Sequence, residues 1–283
     1  MTDSALTTRD HDRNSAGLRY VYPVISRRAG GVSVGINLNP NHACNWRCLY
    51  CQVPNLIRGS APPLDLPLLE QELRGFLTEL LYGDFMMQRV PETMRRINDL
   101  ALSGNGEPTS AAEFAEVIAL IGKLKNEFGL NKQKLVLISN GSLLHREAVQ
   151  RGLRQMAELN GEVWFKLDRA SEAGMHAVND TRSTLPQIRA HLATAVALCP
   201  TWLQTCWFAQ DGQAPATEEA RAYLDFLADL LRDGIRPQGV LLYGLARPSL
   251  QPEAPRLSAL PLAALEQFAA PIRALGLPVQ ITP

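Results

Sequence analysis

From Val32 onward, short β-rich apolar runs alternate with longer helical stretches, and no other feature narrows the possible folds of this chain as much. The runs Val32–Asn39, Asp99–Asn105, Lys134–Asn140, Glu162–Asp168, Thr201–Ala209 and Gly239–Arg247 read as strands. Helical patterns lie between and after them, near 65–82, 111–128, 146–158, 184–198, 217–233 and 261–275. Strands alternating with helices predict βα units on a parallel sheet. The units recur every ~35 residues, a spacing that suits right-handed βαβ crossovers. Six such units fall short of an eight-fold barrel, which takes about 250 residues of its own. The expectation is an α/β protein with an open, partial (β/α)6 barrel of parallel strands.

Side-chain alternation along the strands says what that barrel holds. In Glu162–Asp168, the residues Val163, Phe165 and Leu167 share one face, while Glu162, Trp164, Lys166 and Asp168 share the other. An apolar face packs on helices and a polar face looks inward. A parallel strand buried on both faces reads as almost continuously apolar, and these strands do not. A polar interior near the C-terminal strand ends marks the rim where α/β barrels bind ligands.

Lys plus Arg and Asp plus Glu both number 28, so the formal net charge is zero. A broad phosphate footprint usually shows a basic excess, and the total gives no strong nucleic-acid signal. Hydrophobic content of 46% and charged content of 20% match an ordinary globular chain. No run of about 18 apolar residues is present to span a membrane. Met1–Asn14 is polar and carries no apolar secretory core, so a cytoplasmic protein is expected. Residues 1–20 read as a flexible N-terminal arm and 21–283 as one core domain. Its Pro- and Ala-rich stretch from about 248, Pro248–Pro261, is the candidate covering segment.

The cysteines are Cys44, Cys48, Cys51, Cys199 and Cys206. An odd count argues against a disulfide framework. Three of them form a C-x3-C-x2-C loop directly after the first strand, where three thiolates can wrap one soft metal centre. A structural zinc site would need a fourth ligand, from His42 or a distant cysteine. A four-iron cluster usually takes four cysteines as well, so three would leave one iron open to a small molecule. Further along, Ser103-Gly-Asn-Gly-Glu-Pro-Thr109 ends the second strand. Its glycines let the backbone approach a ligand, and Glu107 offers a carboxylate to an ammonium group. Ser139-Asn140-Gly141 ends the third strand, and Lys166 and Asp168, followed by Arg169, end the fourth. Gln204 and Cys206 share a face of the fifth, inward or outward. Tyr243 and Arg247 share a face of the sixth, with Arg247 placed to clamp an anion. Tyr20–Gly31, with Arg27 and Arg28, precedes the first strand and fits either the barrel bottom or a substrate contact. His145, His176 and His191 lack partner spacing and read as ordinary surface or core residues. A buried, inert Cys199 and Cys206 is the default.

The loop Cys44-Asn-Trp-Arg-Cys48-Leu-Tyr-Cys51, with an aromatic residue before its last cysteine, resembles the signature of the radical S-adenosylmethionine enzymes. The resemblance covers roughly Val32 to Arg247 and implies that family's partial barrel. It implies a 4Fe-4S cluster on Cys44, Cys48 and Cys51, with the open iron binding S-adenosyl-L-methionine. Cleavage would give methionine and a 5′-deoxyadenosyl radical that abstracts hydrogen from substrate. By the same resemblance Tyr50 would flank the adenine, and Asn105, Gly106 and Glu107 would hold the methionine end. Asn105 departs from the family's GGEP motif, where a glycine stands. Ser139, Lys166 and Asp168 are further cofactor candidates. An electron donor such as flavodoxin or ferredoxin is implied. The Gly-Asn-Gly-Glu-Pro-Thr and Lys-Leu-Asp strand ends look most like the branch related to tRNA 4-demethylwyosine synthases. The substrate is left open among a small molecule, a peptide and a nucleobase. Glycyl-radical activating enzymes share the compact size and form an alternative. A non-catalytic protein with structural zinc is an alternative of another class.

Overall fold

In the computed structural model of the chain, residues 6–7, 16–26 and 30–283 are described. Eight strands form one sheet: β1 Val21–Ser26, β2 Gly31–Ile36, β3 Ile97–Leu102, β4 Lys134–Ser139, β5 Gly161–Lys166, β6 Thr201–Cys206, β7 Val240–Tyr243 and β8 Val279–Thr282. They pair in that order. β2 to β8 are parallel neighbours, and β1 runs antiparallel along β2, with Val21 opposite Ile36 and Ser26 opposite Gly31. The sheet curls into an open α/β half-barrel, with helices between the strands.

The six expected parallel strands are all present, shortened at their C-terminal ends because the chain leaves the ladder there to form loops. Two further strands complete the sheet. β1 comes from the segment Tyr20–Gly31, whose residues 27–29, including Arg27 and Arg28, lie outside the described residues. Tyr22 of β1 lies so close over Gly35 of β2 that a Cβ at Gly35 would stand 2.3 Å from the ring. β8 adds a seventh parallel strand beside β7.

The helices longer than five residues are α1 Leu66–Tyr82, α2 Phe114–Glu127, α3 Glu147–Glu158, α4 Glu172–Asn179, α5 Leu185–Leu198, α6 Thr217–Arg232 and α7 Leu262–Ala274. Local chemistry starts them. Asp65 caps α1 by accepting from the Leu68 N–H, and Thr184 with Gln187 forms a capping box on α5. The short α4 is additional to the expected helices. Leu100, Leu102, Leu135, Leu137, Val163 and Phe165 are buried on the sheet face that packs on the helices. At the expected N-terminal arm, Leu6 is buried and its N–H donates to the Arg89 carbonyl at 2.8 Å, while 1–5 and 8–15 lie outside the described residues. Among the described residues no helix is long and apolar enough to cross a membrane.

Candidate cofactor site

A cavity of 370 Å³ opens inside the half-barrel, reaching the C-terminal strand ends. Volumes of roughly 300–1,000 Å³ suit small-molecule ligands. Cys44, Cys48 and Cys51 all line it. Their loop is shaped by side chains that answer its own backbone. Asn37 Oδ1 accepts from the N–H groups of Asn39 and Asn105, at 3.1 and 3.0 Å, and so ties the cysteine loop to the loop after β3. Asn39 Nδ2 donates to the Ala43 carbonyl at 2.9 Å. Gly106 presses on that same carbonyl: a Cβ there would stand 2.0 Å from the Ala43 oxygen, so no other residue fits without moving the loop. Beyond Cys51 the chain from Ser249 to Glu253 runs alongside. Ser249 Oγ donates to the Leu49 carbonyl at 2.6 Å, Leu250 N–H to that of Cys51 at 2.9 Å, and Glu253 pairs with Arg47 at 2.8 Å.

Glu107 reaches one side of the cavity and is buried. Its Oε1 accepts from Ser139 Oγ at 2.7 Å, Thr109 Oγ1 at 2.6 Å and the Thr109 N–H at 3.1 Å. Its Oε2 accepts from the Asn140 N–H at 2.7 Å. A carboxylate offers about four acceptor positions shared over two oxygens, so Oε1 is saturated and Oε2 has room for another donor. Burial pushes this carboxyl above its ordinary pKa even against those four bonds. A positive group entering the cavity would relieve that cost.

On the other side, Asp168 is buried behind the wall. Its Oδ2 accepts from the Tyr50 hydroxyl and, at 2.6 Å, from Asn179 Nδ2, while its Oδ1 accepts from the Cys206 N–H at 2.8 Å. Lys166 projects into the cavity, with Nζ 3.3 Å from the Tyr243 hydroxyl and 5.0 Å from the centre of the Tyr50 ring. Burial alone pulls its pKa down, but Tyr243, Asp168, Cys48 and Cys206 outweigh burial and hold the ammonium well above its ordinary value. The thiols respond differently. Burial pushes Cys44 up to about 12 and Cys48 up to about 11.

Of the expected cofactor-binding residues, Tyr50, Gly106, Glu107 and Lys166 line the same cavity as the three cysteines. Asn105, Ser139 and Asp168 do not. Asn105 gives its N–H to Asn37, Ser139 spends its hydroxyl on Glu107, and Asp168 spends its oxygens on Tyr50, Asn179 and Cys206. Ser139 and Asp168 thus brace residues that face the cavity, Glu107 for the first and Tyr50 and Cys206 for the second. Gln204 and Cys206 turn inward, and Cys206 joins the lining. Gln204 Oε1 is buried in this wall with no hydrogen-bond partner among the described residues. A buried acceptor left open in a cavity fits a site built around a bound group. Arg247 also lines the cavity and contacts Gln52 at 3.2 Å. His42 does not: its Nδ1 lies 2.8 Å from the Pro54 carbonyl. Among the described residues, no group of three or more His, Cys, Asp or Glu is gathered closely enough to grip a single ion. The three thiols nonetheless face one shared space, and thiolates are the ligands by which iron–sulfur clusters are held.

Sequence reasoning did not reach Asn179, whose Nδ2 lies 3.3 Å from Cys48 Sγ. It sits on α4, too short for a periodic pattern. The Ser171 cap before it was the one local signal.

No family model matches the chain. A UPF0026 protein of Helicobacter pylori is 28% identical over 138 residues, 47% of this chain and 38% of that protein. A UPF0026 protein of Methanocaldococcus jannaschii is 28% identical over 163 residues, 56% of this chain and 42% of that protein. The matches thus span less than half the length of these relatives. Among solved structures, a radical SAM methyltransferase from Sphaerobacter thermophilus superposes with a TM-score of 0.60 at 16% identity, over 93% of this chain and 68% of that one. TYW1, in a structure with a lysine–pyruvate adduct bound, gives 0.57 at 12% identity, over 86% of this chain and 73% of that one. The chain thus shares the fold of this radical SAM methyltransferase and of TYW1.

Proposed function

We propose that this protein is a radical S-adenosylmethionine enzyme, with a 4Fe-4S cluster held by Cys44, Cys48 and Cys51 and S-adenosyl-L-methionine bound beside it. The observation that carries the reading is the convergence of those three thiols with Gly106, Glu107 and Lys166 on one cavity at the C-terminal strand ends. Bound and reduced, such a cluster would supply one electron for reductive cleavage of S-adenosyl-L-methionine to methionine and a 5′-deoxyadenosyl radical able to take a hydrogen atom from substrate. The protein's own part is placement. Glu107 Oε2 would accept from the cofactor's ammonium group, and Gly106 would leave room for its approach. Lys166, kept charged by its neighbours, offers a cation to a carboxylate. Its charge suits that role better than attack on a carbonyl, which needs the free amine. Tyr50, fixed by Asp168, presents a ring beside the cysteines. A low-potential donor such as flavodoxin or ferredoxin would deliver the electron in the cytoplasm. The balanced net charge favours a small molecule, peptide or free nucleobase over a large polyanion as substrate.

Anaerobic reconstitution tests the reading. Iron and sulfide are expected at about four each per chain, the stoichiometry of a four-iron cluster. The reduced protein is expected to convert S-adenosylmethionine to 5′-deoxyadenosine and methionine, and Cys48→Ala to abolish this. Stoichiometric zinc with no cluster absorption would sink the proposal. Deuterium transfer from candidate substrates into 5′-deoxyadenosine would then identify the substrate.

A further inference from the structure

The end of α4 is fastened to the cysteine loop. The last carbonyls of a helix have no partner within it. Here the loop's amides supply them: Leu49 N–H donates to the Val178 carbonyl at 2.9 Å, and Arg47 N–H to that of Asn179 at 3.1 Å. Asp180 then turns the chain away at φ 46° and pairs with Arg47 at 3.1 Å and Arg58 at 2.7 Å. This fastening places the Asn179 side chain, 1% exposed, between Asp168 and Cys48. Its Nδ2 lies 2.6 Å from Asp168 Oδ2 and 3.3 Å from Cys48 Sγ. The orientation of that amide follows from chemistry. An ionised carboxylate only accepts, and so does a metal-bound thiolate. The reversed amide would aim its carbonyl oxygen at both. The NH2 group therefore faces them, one N–H for each. Cys44 is served differently, by the backbone N–H of Trp46, which no side-chain substitution removes.

We infer that Asn179, held in register by Asp168, is a positioning residue that raises the reduction potential of the cluster through its hydrogen bond to Cys48 Sγ. The inference rests on the proposed function, because it requires a cluster on that sulfur. Reduction adds negative charge that spreads onto the sulfurs. A donor at the sulfur stabilises the reduced form more than the oxidised form, and such bonds are among the levers that set cluster potentials. Asp168 does not touch the sulfur and acts through Asn179. This gives Asp168 a part in the site other than contact with the cofactor.

The test is a redox titration, read by electron paramagnetic resonance, of anaerobically reconstituted wild type, Asn179→Leu, Asn179→Ala, Asn179→Gln and Asp180→Ala. Leu and Ala remove the donor, the first with little change of volume. Gln keeps an NH2 group on a longer arm. Asp180→Ala loosens the same helix end without touching the sulfur. Iron and sulfide content is measured first for each protein. Asn179→Leu and Asn179→Ala are expected to hold a full cluster whose midpoint lies below that of wild type. Asn179→Gln is expected to fall between, and Asp180→Ala to show no downward shift. A full cluster with an unchanged midpoint in both Leu and Ala variants would overturn the inference. So would a downward shift in Asp180→Ala as large as theirs, because loop loosening would then explain it. A wild type that takes up no cluster overturns the proposed function itself, and this inference with it.

Discussion

Glu107 and Asp168 are both buried carboxylates at the ends of parallel strands, one on each side of the cysteine loop, yet they do different work. Glu107 has one oxygen saturated by Ser139 and Thr109 and the other, at the cavity, holding only the Asn140 N–H. Asp168 lies off the cavity lining, with Oδ2 taken by Tyr50 and Asn179 and Oδ1 by the Cys206 N–H. The difference teaches that position at a strand end does not make a carboxylate a ligand contact. Facing the cavity does: Glu107 lines it and Asp168 does not, although each keeps one oxygen with a single protein donor. One carboxylate is available to a ligand and the other is a joint in the wall.

The sharpest way to break this comparison is to exchange charge for an amide at each. Glu107→Gln is expected to weaken S-adenosylmethionine binding by about 10- to 100-fold, since hydrogen bonds to a charged partner contribute about 1.5–3 kcal/mol. Equilibrium dialysis of reconstituted protein measures it. An affinity loss as large in Asp168→Asn would erase the distinction. Asp168→Ala is expected to act on folding: it strands the Tyr50 hydroxyl, the Asn179 amide and the Cys206 N–H, and costs about 3 kcal/mol of stability. Denaturant titration checks this, and ligand affinity of the folded fraction is expected to change less than in Glu107→Gln. Tyr50→Phe removes one donor from Asp168 and is expected to cost about 1 kcal/mol.

A last effect, confined to alkaline pH, is a pH dependence in which each thiol reports its own side. Burial raises both, first of all; Glu107 adds to the rise at Cys44 and Asp168 to the rise at Cys48, where Lys166 opposes it. A folded-state pKa above the unfolded value favours folding while the thiol is protonated. That contribution is whole below pH 9.0 and is lost as pH climbs through about 11 for Cys48 and about 12 for Cys44. The metal-free protein is therefore expected to melt at progressively lower temperature across this range. Cys48→Ala is expected to flatten the lower part of the curve, as followed by circular dichroism. An equal slope in that variant would remove Cys48 from the account.

Much of this was legible in the chain, for identifiable reasons. The six strands with their following helices show themselves because each unit repeats a pattern long enough to read. β1 escaped because it is a six-residue antiparallel strand containing Pro23, outside the βα rhythm, and β8 because four residues carry no period. The alternation in β5 correctly placed Lys166 inward. It also put Asp168 on that face, but Asp168 lies beyond the last residue of the strand, where the pleat no longer governs direction.

By itself, then, the sequence determined what is local: the parallel core, the three-cysteine loop, and a Gly106–Glu107 pair one unit away. These are contiguous stretches that can be read from residue order and spacing. Only the tertiary structure decided which polar groups face the cavity and which meet each other. The bonds that settle this join distant residues, Cys48 to Asn179 across 131 positions, Tyr50 to Asp168 across 118 and Asn140 to Glu107 across 33. A buried donor or acceptor must find a partner wherever the fold brings one within reach, and no pattern along the chain records that choice.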